Sequence, residues 1–310
     1  MDTMQPATQV PSPEILIEEW SSWLLGERGL SKETDKMYRW RIGYMLRLAG
    51  KDPLTITTAD LRGHLLATCP KANTKGAALR AFRSFFGFLA LECYRPDDPS
   101  RKIRQAKIPQ SLPKHLSAEE AVRLEEAAYW EGIAMHALCR LYLYEGLRLS
   151  EGCQLSWREP TVAEDPEGLS SGTVDLEAGW LRVRGKGATD RDLPLHPKVR
   201  EALKRLWKYR SSEVWLFPRK PNAARPGQEN SPITRSCVQR AVKRWGKAAG
   251  IDRRVFPHAL RHTMATNYLA AGVDITYVQA ALGHSDIQMT MRYARVRKED
   301  LKRTIGKLKY

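Results

Sequence analysis

No stretch of this 310-residue chain approaches the roughly 18–20 consecutive apolar residues of a membrane span. Its start, Met1-Asp2-Thr3-Met4-Gln5-Pro6, lacks the basic opening and the apolar stretch of a secretion signal, so a cytoplasmic protein with no membrane partner is expected. Cysteine is sparse: Cys69, Cys93, Cys139, Cys153 and Cys237 are an odd number, widely spaced, without a Cys-x-x-Cys. That pattern excludes a disulfide scaffold and a thiolate zinc site, and it predicts buried free thiols in a reducing compartment. Internal repeats and low-complexity tracts are also missing, which excludes solenoids and compositionally biased linkers.

What is present is positive charge. The chain holds 51 Lys and Arg against 35 Asp and Glu, a formal net charge of +16. Residues 1–110 contribute +5 and the remainder +11, so no single tail accounts for the excess. Such a balance favours a polyanionic partner and fast electrostatic capture, although a basic protein without a nucleic-acid role shares it. Hydrophobic residues at 42% and charged residues at 28% are those of a globular protein, and the length fits two domains.

The pattern along the chain predicts a mainly α protein with a small β-sheet. After a loose start over 1–12, residues 13–94 read as four short helices. Ser12-Pro13, Ser31 and Thr57-x-x-Asp60 supply starts for three of them, and the fourth follows Asn73 with Leu79, Phe82, Phe85, Phe86 and Leu89 on one face. Lys75, Arg80 and Arg83 fall on its other side, where they can meet a duplex backbone. Over 95–116 the period stops: Pro96, Pro99, Pro109 and Pro113 sit among Arg95, Arg101, Lys102, Arg104, Lys107 and Lys114. This reads as a basic joint, either merely solvated or a cationic tether along DNA.

The second segment, 117–310, restarts at the capping box Ser117-x-x-Glu120. Helices are expected to about Ala128 and from about Gly132 to Glu145, then extended runs at Trp180–Arg184 and Arg191–Leu195 joined by a glycine-bracketed hairpin turn. A further helix from Pro197, a short strand at Val214–Phe217, a loop over 219–232 and a mostly helical remainder after Thr234 complete the reading.

Six polar residues of this segment together suit phosphodiester chemistry: Arg148, Lys186, His258, Arg261, His284 and Tyr293. A tyrosine is a poor nucleophile at neutral pH because its ordinary pKa is about 10, so it needs a base or a cationic setting. Two guanidinium groups match phosphate oxygens and stabilise the charge of attack, imidazoles carry protons, and a lysine can protonate a leaving oxygen. Taken singly, each has a plainer reading: a solvated helix end for Arg148, a surface lysine for Lys186, a packing aromatic for Tyr293. His258 and His262 at i and i+4 could grip a metal, but no acidic residue lies between them and no third ligand stands at a zinc spacing, so no metal is expected.

Gly146-Leu147-Arg148-Leu149-Ser150-Glu151, Gly185-Lys186-Gly187, His258-x-x-Arg261-His262, Leu282-Gly283-His284 and Tyr293 resemble the signature of the tyrosine recombinase (phage-integrase) family. Glu27-Arg28-Gly29-Leu30-Ser31, Thr57-x-x-Asp60-Leu61-Arg62 and Leu112-Pro113-Lys114-x-Leu116-Ser117 resemble the core-binding part of its Xer-like, two-domain members. The resemblance covers about residues 13–300. It implies a SAM-like, four-helix core-binding domain and an α+β catalytic domain.

The resemblance further implies a site-specific DNA recombinase in which Tyr293 forms a 3′-phosphotyrosyl link, Lys186 protonates the 5′-oxygen and Arg148 and Arg261 hold the non-bridging oxygens. His258 and His284 assist with charge and protons, with Glu151 and His262 supporting. It implies no cofactor, no metal and no ATP, strand exchange through a Holliday junction on double-stranded DNA sites, a tetramer in synapsis with a free monomer or dimer, and a nucleoid-associated prokaryotic or mobile-element setting. A type IB-like topoisomerase, or a DNA-binding module without chemistry, are the alternatives. The segment 158–173 is longer than members usually show and is expected as an added loop, and the arm-site domain of lambda-like integrases is expected to be missing. Lys298–Tyr310, with Leu301, Ile305 and Leu308 on one face, reads as an amphipathic helix of the kind members dock into a neighbouring protomer, or one that folds back on its own domain.

Overall fold

The computed structural model describes residues 11–105, 115–185, 190–219 and 231–283. Lys107, Lys186, His284, Tyr293 and the expected helix at Lys298–Tyr310 therefore lie outside the described residues. The chain divides into two compact units, Met1–Gln110 and Ser111–Tyr310.

Among the described residues, four α-helices build the first unit: α1 (Pro13–Gly26), α2 (Lys32–Ala49), α3 (Thr58–Thr68) and α4 (Ala72–Leu91). Ser12 and Ser31 accept main-chain N–H groups at the starts of α1 and α2, and Thr57 with Asp60 closes a reciprocal capping box on α3. The apolar faces meet in a core of Leu16, Trp20, Ile42, Leu61, Phe82, Phe85 and Phe86, all buried. Trp20 needs a partner for its indole N–H once buried, and Ser84 Oγ accepts it at 3.2 Å.

Part of the expected basic joint belongs to this unit. Ile103 enters its core, and Arg95 is only 8% exposed. A buried guanidinium needs partners, and Arg95 finds the carbonyls of Pro53 and Ile56 at 3.0 and 3.1 Å and the Asp97 carboxylate at 2.9 Å. Arg95 is therefore an internal brace and not a solvated charge of a tether.

The second unit opens with α5 (Ala118–Trp130) behind the Ser117/Glu120 capping box, then α6 (Ile133–Arg140). The single helix expected to Glu145 instead widens into a π-helical turn, Leu141–Glu145, before α7 (Leu149–Cys153). A four-stranded sheet follows in the order β1 (Leu155–Ser156), β2 (Gly172–Asp175), β3 (Trp180–Val183), β4 (Arg191–Pro194). β1 and β2 are parallel, and the other pairs are antiparallel, with Leu181 opposite Leu193 and Val183 opposite Arg191. The unit is completed by α8 (Pro197–Lys208), α9 (Arg235–Ala248), α10 (Pro257–Ala270) and α11 (Ile275–Leu282).

One sequence expectation changes here. Val214–Phe217 forms no named strand; Trp215 makes one isolated bridge to Ser156, because the strand it faces, β1, is two residues long. The segment 158–173 is a folded loop that ends by entering β2: Arg158 pairs with Glu164 at 2.6 Å, and Asp165 accepts the N–H groups of Leu169 and Ser170 at 2.7 Å each. All five cysteines are free thiols, with Cys69, Cys139 and Cys153 buried, Cys237 half-buried and Cys93 exposed. No helix among the described residues is long and apolar enough to cross a membrane.

Candidate active site

The described part of the site is built from two helix ends and the arginines that meet them. The π-helical turn stops at Gly146, where a φ of 62° favours glycine and an added β-carbon would push aside the Met264 methyl, 2.3 Å away. Two residues on, Arg148 opens α7. Glu151, in the first turn of that helix, reaches back to accept the Arg148 main-chain N–H at 2.7 Å. The same local geometry sets a carboxylate beside the guanidinium, and Arg148 Nη1 donates to Glu151 Oε1 at 2.8 Å.

The second end is that of α11, which Gly283 terminates in the left-handed region with φ 58°. The last carbonyls of a helix lack intrahelical donors and carry its partial negative charge. Three successive ones take three arginines from three different elements. Ala281 O accepts from Arg191 Nε at 3.0 Å, Leu282 O from Arg261 Nη2, and Gly283 O from Arg148 Nη2 at 2.6 Å. Arg261 Nη1 also donates to Gly146 O at 2.6 Å, so this one side chain ties both helix ends together.

Exposure separates the arginines. Arg261 is 3% exposed, with both Nη atoms engaged by main-chain carbonyls, whereas the side chain of Arg148 is 38% exposed. Burial pushes the Glu151 carboxyl up, but the bonds and charge of Arg191, joined by the bonds from Arg148, outweigh it and hold its pKa below the ordinary value. Glu145 fares otherwise: burial drives it up to about 7, opposed only by the His196 main-chain N–H at 2.8 Å.

At α10, Pro257 occupies the first helical position and the first two turns carry His258, Arg261 and His262. The rings of His258 and His262 lie 6.4 Å apart, inclined by 27°. Partial burial, then the charges of Arg261 and Arg148, lower the His258 pKa, while burial, His258, Arg261 and His115 pull His262 down to about 4. Both imidazoles are thus neutral at pH 7 in the free protein. Among the described residues no group of three or more His, Cys, Asp or Glu is placed to hold a metal ion.

Of the six residues singled out from the sequence, the structure brings Arg148, His258 and Arg261 together with Glu151 and His262; the other three lie outside the described residues. In the first unit Arg80, Arg83, Arg101, Lys102 and Arg104 are exposed and Lys75 is half-buried. Arg83 donates to Ile103 O at 2.8 Å and Arg62 to Lys102 O at 3.4 Å, which sets α3, α4 and the 101–104 segment side by side. Sequence reading missed Arg191. Its signal was available, since Arg191, Leu193 and Leu195 alternate in phase, and an arginine in step with two core leucines needs hydrogen-bond acceptors inside the fold.

The chain matches the model of the phage integrase family over residues 114–300. It is 31% identical over 287 residues to the tyrosine recombinase XerC of Xylella fastidiosa (strain M23), covering 90% of this chain and 91% of the relative. With the tyrosine recombinase XerD of Proteus mirabilis it shares 32% identity over 306 residues, 93% of this chain and 91% of the relative. The crystal structure of XerA recombinase aligns at 26% identity and a TM-score of 0.50, covering 96% of this chain and 100% of that one. A lambda integrase tetramer bound to a Holliday junction shares the fold, with a TM-score of 0.70 at 20% identity over 94% of this chain and 81% of that one.

Proposed function

The chain belongs to the phage integrase family, and on that premise we propose that it recombines DNA at specific sites, Tyr293 attacking the scissile phosphate to leave a 3′-phosphotyrosyl link and a free 5′-hydroxyl. The observation that carries this reading is the convergence of Arg148 and Arg261 on neighbouring carbonyls at the end of α11, with His258 under the influence of both charges.

A phosphodiester gains negative charge as the phenolate attacks, and fixed cations that need not reorganise stabilise that gain. Arg148 offers an accessible guanidinium to the non-bridging oxygens, and Arg261 adds its charge from behind; loss of either is expected to cost about 3–4 kcal/mol of transition-state stabilisation. His258, neutral before DNA arrives, can accept a proton as the phosphate offsets the arginine charges, and His284 shares that role. Lys186 protonates the leaving 5′-oxygen. Glu151 orients Arg148, and His262 supports His258 along α10.

One phosphoester replaces another in this step, so the bond energy is kept in the protein–DNA link and ATP is not required. Attack by the 5′-hydroxyl of a second duplex reverses the reaction and exchanges strands through a four-way junction. The partners are double-stranded recombination sites and further copies of the chain, a tetramer in synapsis formed from free monomers or dimers. Residues 13–94, with 95–104 packed onto them, serve as the core-binding domain, the rest of 95–116 as the joint and 117–310 as the catalytic domain. Lys75, Arg80, Arg83, Arg101, Lys102, Arg104 and Lys107 meet the phosphate backbone of the duplex. The chain then works in the cytoplasm, at the nucleoid.

A nicked suicide site tests the reading. The wild-type chain traps a covalent adduct on it and Tyr293→Phe does not; an adduct formed by Tyr293→Phe overturns the assignment. Relaxation of supercoiled plasmid with no recombinant product would point instead to a type IB-like topoisomerase.

A further inference from the structure

One arginine at the site has none of the roles given above. Arg191 opens β4 on the face of the buried Leu193 and Leu195, and its side chain is 10% exposed. Such a group must satisfy both its charge and its donors within the fold. Arg191 does so with the whole of its fork: Nη1 and Nη2 reach Glu151 Oε1 and Oε2 at 3.2 and 2.7 Å, and Nε reaches Ala281 O at 3.0 Å. Glu151 is thereby shared. Its Oε1 also accepts from Arg148 Nη1 and its Oε2 from the Arg148 main-chain N–H.

The charge of this trio decides what a phosphate meets. Arg148 and Glu151 alone sum to zero, and a neutral pair attracts an anion weakly. With Arg191 the sum is +1, and only Arg148 presents an open face, its side chain 38% exposed against 7% for Glu151 and 10% for Arg191. We propose that Arg191 is a positioning residue for strand cleavage. By neutralising Glu151 from inside the protein it leaves the Arg148 charge to the scissile phosphate, and by holding Ala281 it keeps the end of α11 against that guanidinium. The inference rests on the reading of Arg148 as a phosphate clamp and deepens it.

Single-turnover cleavage of a nicked site separates the possibilities. The full chain is compared with Arg191→Gln, which removes the charge, and Arg191→Lys, which keeps it and loses the fork. Each acts on a scissile phosphate and on an uncharged methylphosphonate in its place, with site affinity and melting temperature recorded alongside. Arg191→Gln is expected to slow cleavage of the phosphate on the order of 10²-fold, the scale of a misplaced reacting group, with site affinity within about threefold. Arg191→Lys loses less, and on the methylphosphonate, whose transition state carries one negative charge fewer on its non-bridging positions, the deficit of Arg191→Gln falls below about threefold. An equal deficit on both substrates, no difference between the Gln and Lys variants, or a loss of affinity that matches the loss of rate overturns the proposal. Should Arg191→Gln not fold, the behaviour of Arg191→Lys on the two substrates decides it. Arg148→Ala cleaving the phosphate at the wild-type rate would remove the clamp itself, an outcome distinct from any of these.

Discussion

Glu145 and Glu151 stand three residues to either side of Arg148, both almost fully buried, and their carboxyl pKa values are shifted in opposite directions. Glu151 meets two guanidinium groups and a main-chain N–H and stays ionised. Glu145, at the end of the π-helical turn, receives one main-chain N–H and is pushed up to about 7. Burial is common to both, so burial does not set the charge; the partners within hydrogen-bond reach do. For the site the consequence is specific. A scissile phosphate approaches Arg148 beside a carboxylate that Arg191 already offsets, and a second ionised carboxylate nearby, with no cation of its own, would work against it.

The largest effect is expected at Glu151. Glu151→Ala leaves Arg191 buried without its counter-charge, a loss of roughly 3–5 kcal/mol in denaturant unfolding, and it abolishes adduct formation with it. A loss under about 1 kcal/mol would break the contrast, because Glu151 would then be no better paired than Glu145.

Glu145 gives the next effect, and its sign is fixed by the direction of its shift. Its folded pKa of about 7 lies above the ordinary 4.5, so between those values the folded chain holds a proton that the unfolded chain releases. Its contribution is fully present below pH 4.5 and is lost as the pH climbs through 7. Glu145→Gln keeps an oxygen for the His196 N–H and cannot ionise. It is expected to unfold later than wild type at pH 8, by up to about 3 kcal/mol, and to differ little near pH 4.5. The same difference at both pH values would show that Glu145 is paired after all.

Gly283 sharpens the comparison from the backbone side. An added β-carbon meets Arg191 Nη1 at 3.0 Å and Arg148 Nη1 at 3.4 Å, at a φ of +58°. Gly283→Ala should cost about 1–2 kcal/mol of stability and slow cleavage by more than that loss of fold explains. Parallel falls in the two would mean that the Arg148 guanidinium is not held in place by this carbonyl.

The smallest effect is a titration. His258 is lowered in the free protein, first by partial burial and then by Arg261 and Arg148, so a phosphate that offsets those charges should raise it. Histidine NMR of Tyr293→Phe, free and bound to an intact site, reads this directly. An unchanged value on binding would place the phosphate elsewhere.

Much of the site was legible because much of it is local. Gly146 ending a helix, Arg148 starting the next and Glu151 one turn on are a spacing argument, and the structure places Arg148 and Glu151 within 2.8 Å of one another. The His258, Arg261 and His262 spacing on one helix was legible for the same reason. Arg191 was not read, although its alternation with Leu193 and Leu195 marked it as inward, because its partner lies 40 positions away. The α11 carbonyls had no signal at all: every residue has one, and only a helix end leaves it unpaired. β2 went unread because four residues beginning at a glycine are too short for a two-residue period to show.

By itself, the order of residues determined which side chains could act and how those on one turn of helix stand to each other, since capping and helical spacing are set within four residues. It also determined that the chain would be basic in both halves. The tertiary structure alone decided which arginine stays open, which carboxylate keeps its charge and where three guanidinium groups meet. Those outcomes depend on contacts between segments far apart in the chain, where desolvation and a counter-charge a few ångströms away oppose each other and only the assembled fold sets the balance.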